Sequence, residues 1–137
     1  DVTSINSNAF EDCSNLTSIK IPEKVTNIGT AAFRNCNSLT SIDIPEGVTS
    51  IGNFAFSRCG SLTNINIPES VTNIENFAFE SCSSLTSIDI PKNVTNIGIE
   101  AFKYCTNLEV VIDNSKDNVN VGRNAFNKCK SVTWLKE

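Results

Sequence analysis

Apolar side chains recur along this chain on a fixed beat. Leu16, Leu39, Leu62, Leu85 and Leu108 stand 23 residues apart, as do Phe10, Phe33, Phe56, Phe79 and Phe102, with Phe126 one residue late. The segment "LTSIDIPEGVTSIGNFAFSRC" starting at Leu39 and "LTNINIPESVTNIENFAFESC" starting at Leu62 agree at 14 of 21 positions. A constant period of this size marks a solenoid, in which each unit is one coil that buries its apolar face only by stacking on its neighbours. The 137 residues therefore read as one array, residues 1–137, rather than as a single globular core.

Inside a unit the pattern predicts three pieces. Ser41-Ile42-Asp43-Ile44 alternates polar and β-branched apolar residues, which predicts a short strand with Ile42 and Ile44 inward. Pro45 ends it, because proline cannot donate to a ladder. Val48 and Ile51 predict a second, shorter extended segment. Ala55, Phe56 and Cys59 fit about one helical or 3₁₀ turn on the opposite side of the coil. Gly52 hints at a special backbone angle before that turn, yet Asn6 and Glu75 fill the same slot, so a positive φ is not required there.

The run "C-x-x-L-T-x-I-x-I-P-x-x-V-T-x-I-x-x-x-A-F-x-x-C" spans Cys36 to Cys59, Cys59 to Cys82 and Cys82 to Cys105, with partial copies at both ends. It resembles the BspA-like leucine-rich repeat family over almost the whole chain. The resemblance implies a leucine-rich-repeat solenoid of about six coils, with a parallel β-sheet on one face and short helical or 3₁₀ turns and loops opposite. It also implies a function class, that of bacterial and protozoan surface proteins that adhere to host cells, matrix proteins or other microbes. An extracellular or cell-surface location follows from the same resemblance.

The last full unit departs from the pattern. It reads "LEVVIDNSKDNVNVG", and a strict 23-residue count places Asp113 at an inward slot and Asn114 where proline stood, with one extra residue before Val121. The chain begins midway through a unit and stops inside what should be another strand, so we expect a portion of a longer repeat protein.

Eleven basic and fifteen acidic residues give a net charge of −4, with no basic stripe, which argues against a nucleic-acid partner. No apolar run approaches the length that crosses a membrane, so this segment is not expected to insert in one. The chain has no histidine, so a serine or cysteine nucleophile lacks its usual base. Glu23, Glu46 and Glu69 sit one coil apart at the post-proline turn and do not form an acid/base pair. No enzymatic activity and no cofactor are expected. Cys13, Cys36, Cys59, Cys82, Cys105 and Cys129 hold one slot beside the inward Phe, where parallel side-chain vectors disfavour a disulfide torsion and a ladder cannot build a zinc tetrahedron. They read as buried free thiols. The sequons "NLT" at Asn15 and "NVT" at Asn93 fall at predicted turns and are candidate glycosylation sites.

What remains is surface. The same strict count makes two outward strand columns, Ser18, Ser41, Asn64, Ser87, Val110, Trp134 and Lys20, Asp43, Asn66, Asp89, Ile112, Lys136. Most entries are small and polar, and only Val110, Ile112 and Trp134 make an apolar candidate binding patch. Two threonine ladders, Thr17 to Thr86 and Thr3 to Thr95, raise an ice-binding surface as an option, but threonine at repeated turns more simply bonds the backbone. The leading expectation is a protein or matrix ligand bound by a non-enzymatic module. The rival is a structural repeat of a fibre or surface layer that associates mainly with itself.

Overall fold

A computed structural model describes residues 2–137. The strands in chain order are β1 (Ser4–Ile5), β2 (Asn27–Ile28), β3 (Ser41–Asp43), β4 (Ser50–Ile51), β5 (Asn64–Asn66), β6 (Asn73–Ile74), β7 (Ser87–Ile90), β8 (Asn96–Ile97), β9 (Glu109–Ile112), β10 (Asn120–Val121) and β11 (Ser131–Trp134). All pairings are parallel. The molecule is a parallel β-solenoid.

The Leu-Thr-x-Ile-x-Ile segments form one strand face, in two sheets ordered β3-β5 and β11-β9-β7, with Lys20 bridging to Asp43 at the first edge. The Val-Thr-x-Ile segments form a second, continuous ladder of six strands, β1-β2-β4-β6-β8-β10. Alternation explains both. In β7 the burial runs exposed, buried, exposed, buried, so Ile88 and Ile90 face the core while Ser87 and Asp89 face solvent.

Between the ladders each coil stacks like on like. Phe33, Phe56, Phe79 and Phe102 are fully buried, with ring centroids of consecutive pairs 5.2–5.3 Å apart. Threonine hydroxyls of each ladder donate to the threonine carbonyl one coil back, as Thr63 does to Thr40 at 3.2 Å and Thr72 to Thr49 at 3.3 Å. That role stitches coils together and accounts for both ladders without an external ligand.

The far side of the coil is a chain of turns, not the helical or 3₁₀ turn expected there. Ala32, Arg34 and Cys36 N–H donate within the coil to Gly29, Ala31 and Phe33 carbonyls, while the intervening Ala31, Phe33 and Asn35 N–H donate to Asn53, Ala55 and Ser57 of the next coil. Alternating donors satisfy the backbone without a helix. The alternation needs left-handed residues, and each coil supplies two, Ala31 (φ 56°) and Asn35 (φ 61°) in the second and Phe54 (φ 59°) and Arg58 (φ 62°) in the third. Among the described residues the one 3₁₀ helix is Lys116–Asn118.

The irregular unit resolves differently from the strict count. β9 pairs Glu109 with Ser87, Val110 with Ile88, Val111 with Asp89 and Ile112 with Ile90. The offset is thus 22 residues along this strand, since Leu108 is followed by one residue before the first inward position where Leu85 is followed by two. Register follows burial: a one-residue shift would turn Val110 and Ile112 to solvent and aim Asp113 at the core. The loop around the 3₁₀ helix then takes up the surplus, and β10 regains its place with Val121 against Ile97.

Candidate strand-face binding site

The expected patch is not where the strict count put it. Val110 and Ile112 are fully buried, and Trp134, paired with Ile112 on the inward face, is half-buried against the core at the end of the array. The three belong to the core because β9 and β11 alternate in the same phase as β7. Reading Glu109-Val110-Val111-Ile112 by alternation from Ile112, rather than by period from Leu108, finds this.

The outward positions of the three-stranded sheet are Ser87 and Asp89 on β7, Glu109 and Val111 on β9, and Ser131 and Thr133 on β11. Val111 is the apolar exception. Just past the strand ends come Pro91, Asp113 and Leu135, the last 58% exposed. These groups enclose a hollow of about 310 Å³ lined by Ile67, Glu69, Asp89, Ile90, Pro91, Val111, Asp113 and Leu135. Asp113 lies outside the core and accepts from Lys136 Nζ at 2.8 Å. The site therefore joins an apolar wall to an acidic rim. The sequence reading missed Val111 and Leu135, whose signal was the same alternation.

A larger hollow, about 700 Å³, opens at the other end of the strand face between Ile19, Lys20, Ile21, Glu23, Asp43, Pro45 and Glu46. Of its residues, Lys20, Ile21, Glu23, Asp43, Pro45 and Glu46 hold slots that the first hollow also uses. Asn15 and Asn93 both lie exposed in turns, and Asn93 Nδ2 donates to the Glu69 carbonyl at 2.9 Å. Neither lines either hollow.

A family model of the BspA type leucine rich repeat region matches residues 3–133 in 6 copies. The sequence gives no match among curated proteins. Among solved structures, a leucine rich cell surface protein from Faecalibacterium prausnitzii A2-165 is 32% identical with a TM-score of 0.78, over 99% of this chain and 44% of its own. A leucine rich repeat protein from T. pallidum is 31% identical with a TM-score of 0.76, over 85% of this chain and 57% of its own. The pneumococcal vaccine antigen PcpA, at 24% identity and a TM-score of 0.74 over 90% of this chain and 31% of its own, shares the fold. This chain thus spans less than two thirds of the length of each of these proteins. With six matched copies, the stacked Phe and Thr ladders and neighbours built the same way, the chain belongs to the BspA-type leucine-rich repeat family.

Proposed function

We propose that this chain is a non-enzymatic protein-binding or adhesion module, working outside the cell or at its surface, with the strand face as its recognition surface and a protein or matrix component as its ligand. The observation that carries this reading is the conjunction of half-buried Val111 and exposed Leu135 around one hollow on a face whose other outward columns are mostly Ser, Asn, Asp and Lys. The desolvated centre of a protein interface is apolar and its rim polar, which is the layout Val111 and Leu135 have among their neighbours. The likeness to a cell surface protein at 32% identity supports the location.

The test is retention of the fluorescently labelled chain on cells and on a panel of immobilised matrix proteins. Val111→Ser with Leu135→Ser should keep the circular dichroism spectrum and lose most of the retention. Retention equal to that of the unchanged chain would move recognition off this face.

One observation favours self-association as a second reading. Phe10, Cys13 and Ile19 are half-buried at one end of the array, and Phe126, Cys129 and Val132, which hold the same slots, are half-buried at the other. A head-to-tail contact of that kind does not close and would build filaments. Negative-stain electron microscopy at rising concentration separates the two readings, since a receptor module stays dispersed.

A further inference from the structure

The hollow beside Leu135 has a definite chemistry, and the inference from it rests on the binding reading above. We propose that the strand-face hollow receives a lysine or arginine side chain flanked by apolar residues on an extended segment of a protein partner. The walls fit the stem of such a side chain, since Ile67, Pro91, Val111 and Leu135 line the hollow with hydrocarbon. The rim fits its head. Glu69 and Asp89 border the hollow, and among the described residues neither carboxylate has a basic group within ion-pair distance. Lys92, next to Pro91, holds the same slot as Glu69 one coil further on and does not line the hollow.

The molecule contains its own precedent. At the opposite end of the strand face, the hollow bounded by Ile21, Pro45, Glu23 and Glu46 is lined also by Lys20, whose strand position is the one Asp89 and Val111 hold further along. Where the chain supplies its own cation, the hollow of matching slots contains one. Where Asp89 and Val111 replace it, the walls and carboxylates remain, Lys136 takes Asp113, and the cation for Glu69 and Asp89 is left to a partner. Lys136 on Asp113 at 2.8 Å shows an ammonium group settling at this same rim. An anionic side chain would meet the Glu69 and Asp89 carboxylates, neither of which has an ion-pair partner among the described residues, so charge complementarity selects the occupant.

The probe is a short capped peptide with a single lysine between leucines, compared with the same peptide carrying glutamate, and titrated into the isotope-labelled chain by heteronuclear NMR. The lysine peptide should shift the amides of Asp89, Val111 and Leu135, more weakly as salt is raised, and the glutamate peptide should not. Glu69→Gln with Asp89→Asn should weaken the lysine peptide about fivefold, as expected for two exposed charge contacts. Glu69→Lys with Asp89→Lys should reverse the preference; all four substitutions are at exposed side chains, and amide dispersion reports whether each variant is folded. Equal shifts from both peptides, or unchanged affinity in folded Glu69→Gln/Asp89→Asn, overturns the proposal. If those variants hold a cell or matrix ligand undiminished, the cationic occupant is wrong and the module reading stands. If the chain retains no such ligand but takes the lysine peptide as described, the module reading fails and the occupant stands.

Discussion

Each coil carries two residues with φ near +60°, and the slot after Asn53 and Asn76 holds Phe54 and Phe77 in that conformation. A bulky side chain resists left-handed backbone, so something must hold these two in place. Their rings stack at 4.7 Å and the Arg34 guanidinium lies 4.7 Å from the Phe54 centroid, a cation–π cap on an aromatic pair. The glycine of the repeat, present at Gly29 and Gly52, serves a different end. A Cβ at Gly29 would stand 2.7 Å from the Ile5 carbonyl and one at Gly52 2.8 Å from that of Ile28, so glycine there permits close approach of neighbouring coils, with ordinary φ. The cysteines are equally local in their logic. Sγ of Cys59, Cys82 and Cys105 donates to the Phe carbonyl of the previous coil at 3.0–3.2 Å, and burial pushes the thiol pKa up, to about 11 for Cys36 and about 12 for Cys59. At neutral pH the Cys36 and Cys59 thiols stay protonated. Iodoacetamide at pH 8 should label native Cys36 roughly 100-fold more slowly than the denatured chain from thiolate fraction alone, read by mass spectrometry; rapid native labelling of Cys59 or Cys82 would refute it. The folded value lies above the unfolded one, so the stabilisation is complete below pH about 9 and drains away as the pH climbs toward the folded values. Urea midpoints should therefore fall from pH 8 to pH 11, less steeply in Cys59→Ala/Cys82→Ala.

At the scale of the element, β9 shows how a strand chooses its phase. Holding the 23-residue count would expose two apolar side chains and bury Asp113, at a cost of several kcal/mol for an unpaired charge. Shifting by one residue costs only a longer loop, which adds a fraction of a kcal/mol. The shift wins. Val110→Asn should accordingly destabilise by about 3 kcal/mol or more, because an amide without partners enters the core, whereas Val111→Asn should stay within about 0.5 kcal/mol. Chemical denaturation of the pair checks the register directly, and the reverse order would restore the strict count. For the same reason Ile112→Ser perturbs stability rather than binding alone, since Ile112 is fully buried.

The whole molecule is a stack in which each coil depends on its neighbours. Phe56 lies between Phe33 and Phe79, both 5.3 Å away, while Phe10 is half-buried with Phe33 as its one stacking partner among the described residues. Phe56→Ala should cost about 3 to 5 kcal/mol and Phe10→Ala clearly less, as thermal melts will show; equal losses would contradict nearest-neighbour stacking. The same one-dimensional order distributes function. Side chains on the strand face form columns whose members meet only neighbours one coil away, so a site arises where a column changes character, as it does at Val111.

The sequence by itself determined the solenoid, its period, the inward Ile, Leu, Phe and Cys ladders and the turn-forming proline, because each follows from a local pattern repeated until no other arrangement buries it. It also pointed to the C-terminal end of the strand face, though through Val110, Ile112 and Trp134, which the structure assigns to the core. Tertiary structure decided which residues compose that end, since the phase of β9 depends on what its neighbour β7 already buries, and period and alternation disagree there by one residue. It decided as well that the far side is a chain of turns instead of a helical turn. Left-handed backbone at Ala31, Phe54, Phe77 and Glu100 is locally unfavourable and becomes stable only when the N–H groups it turns outward meet the carbonyls of the next coil.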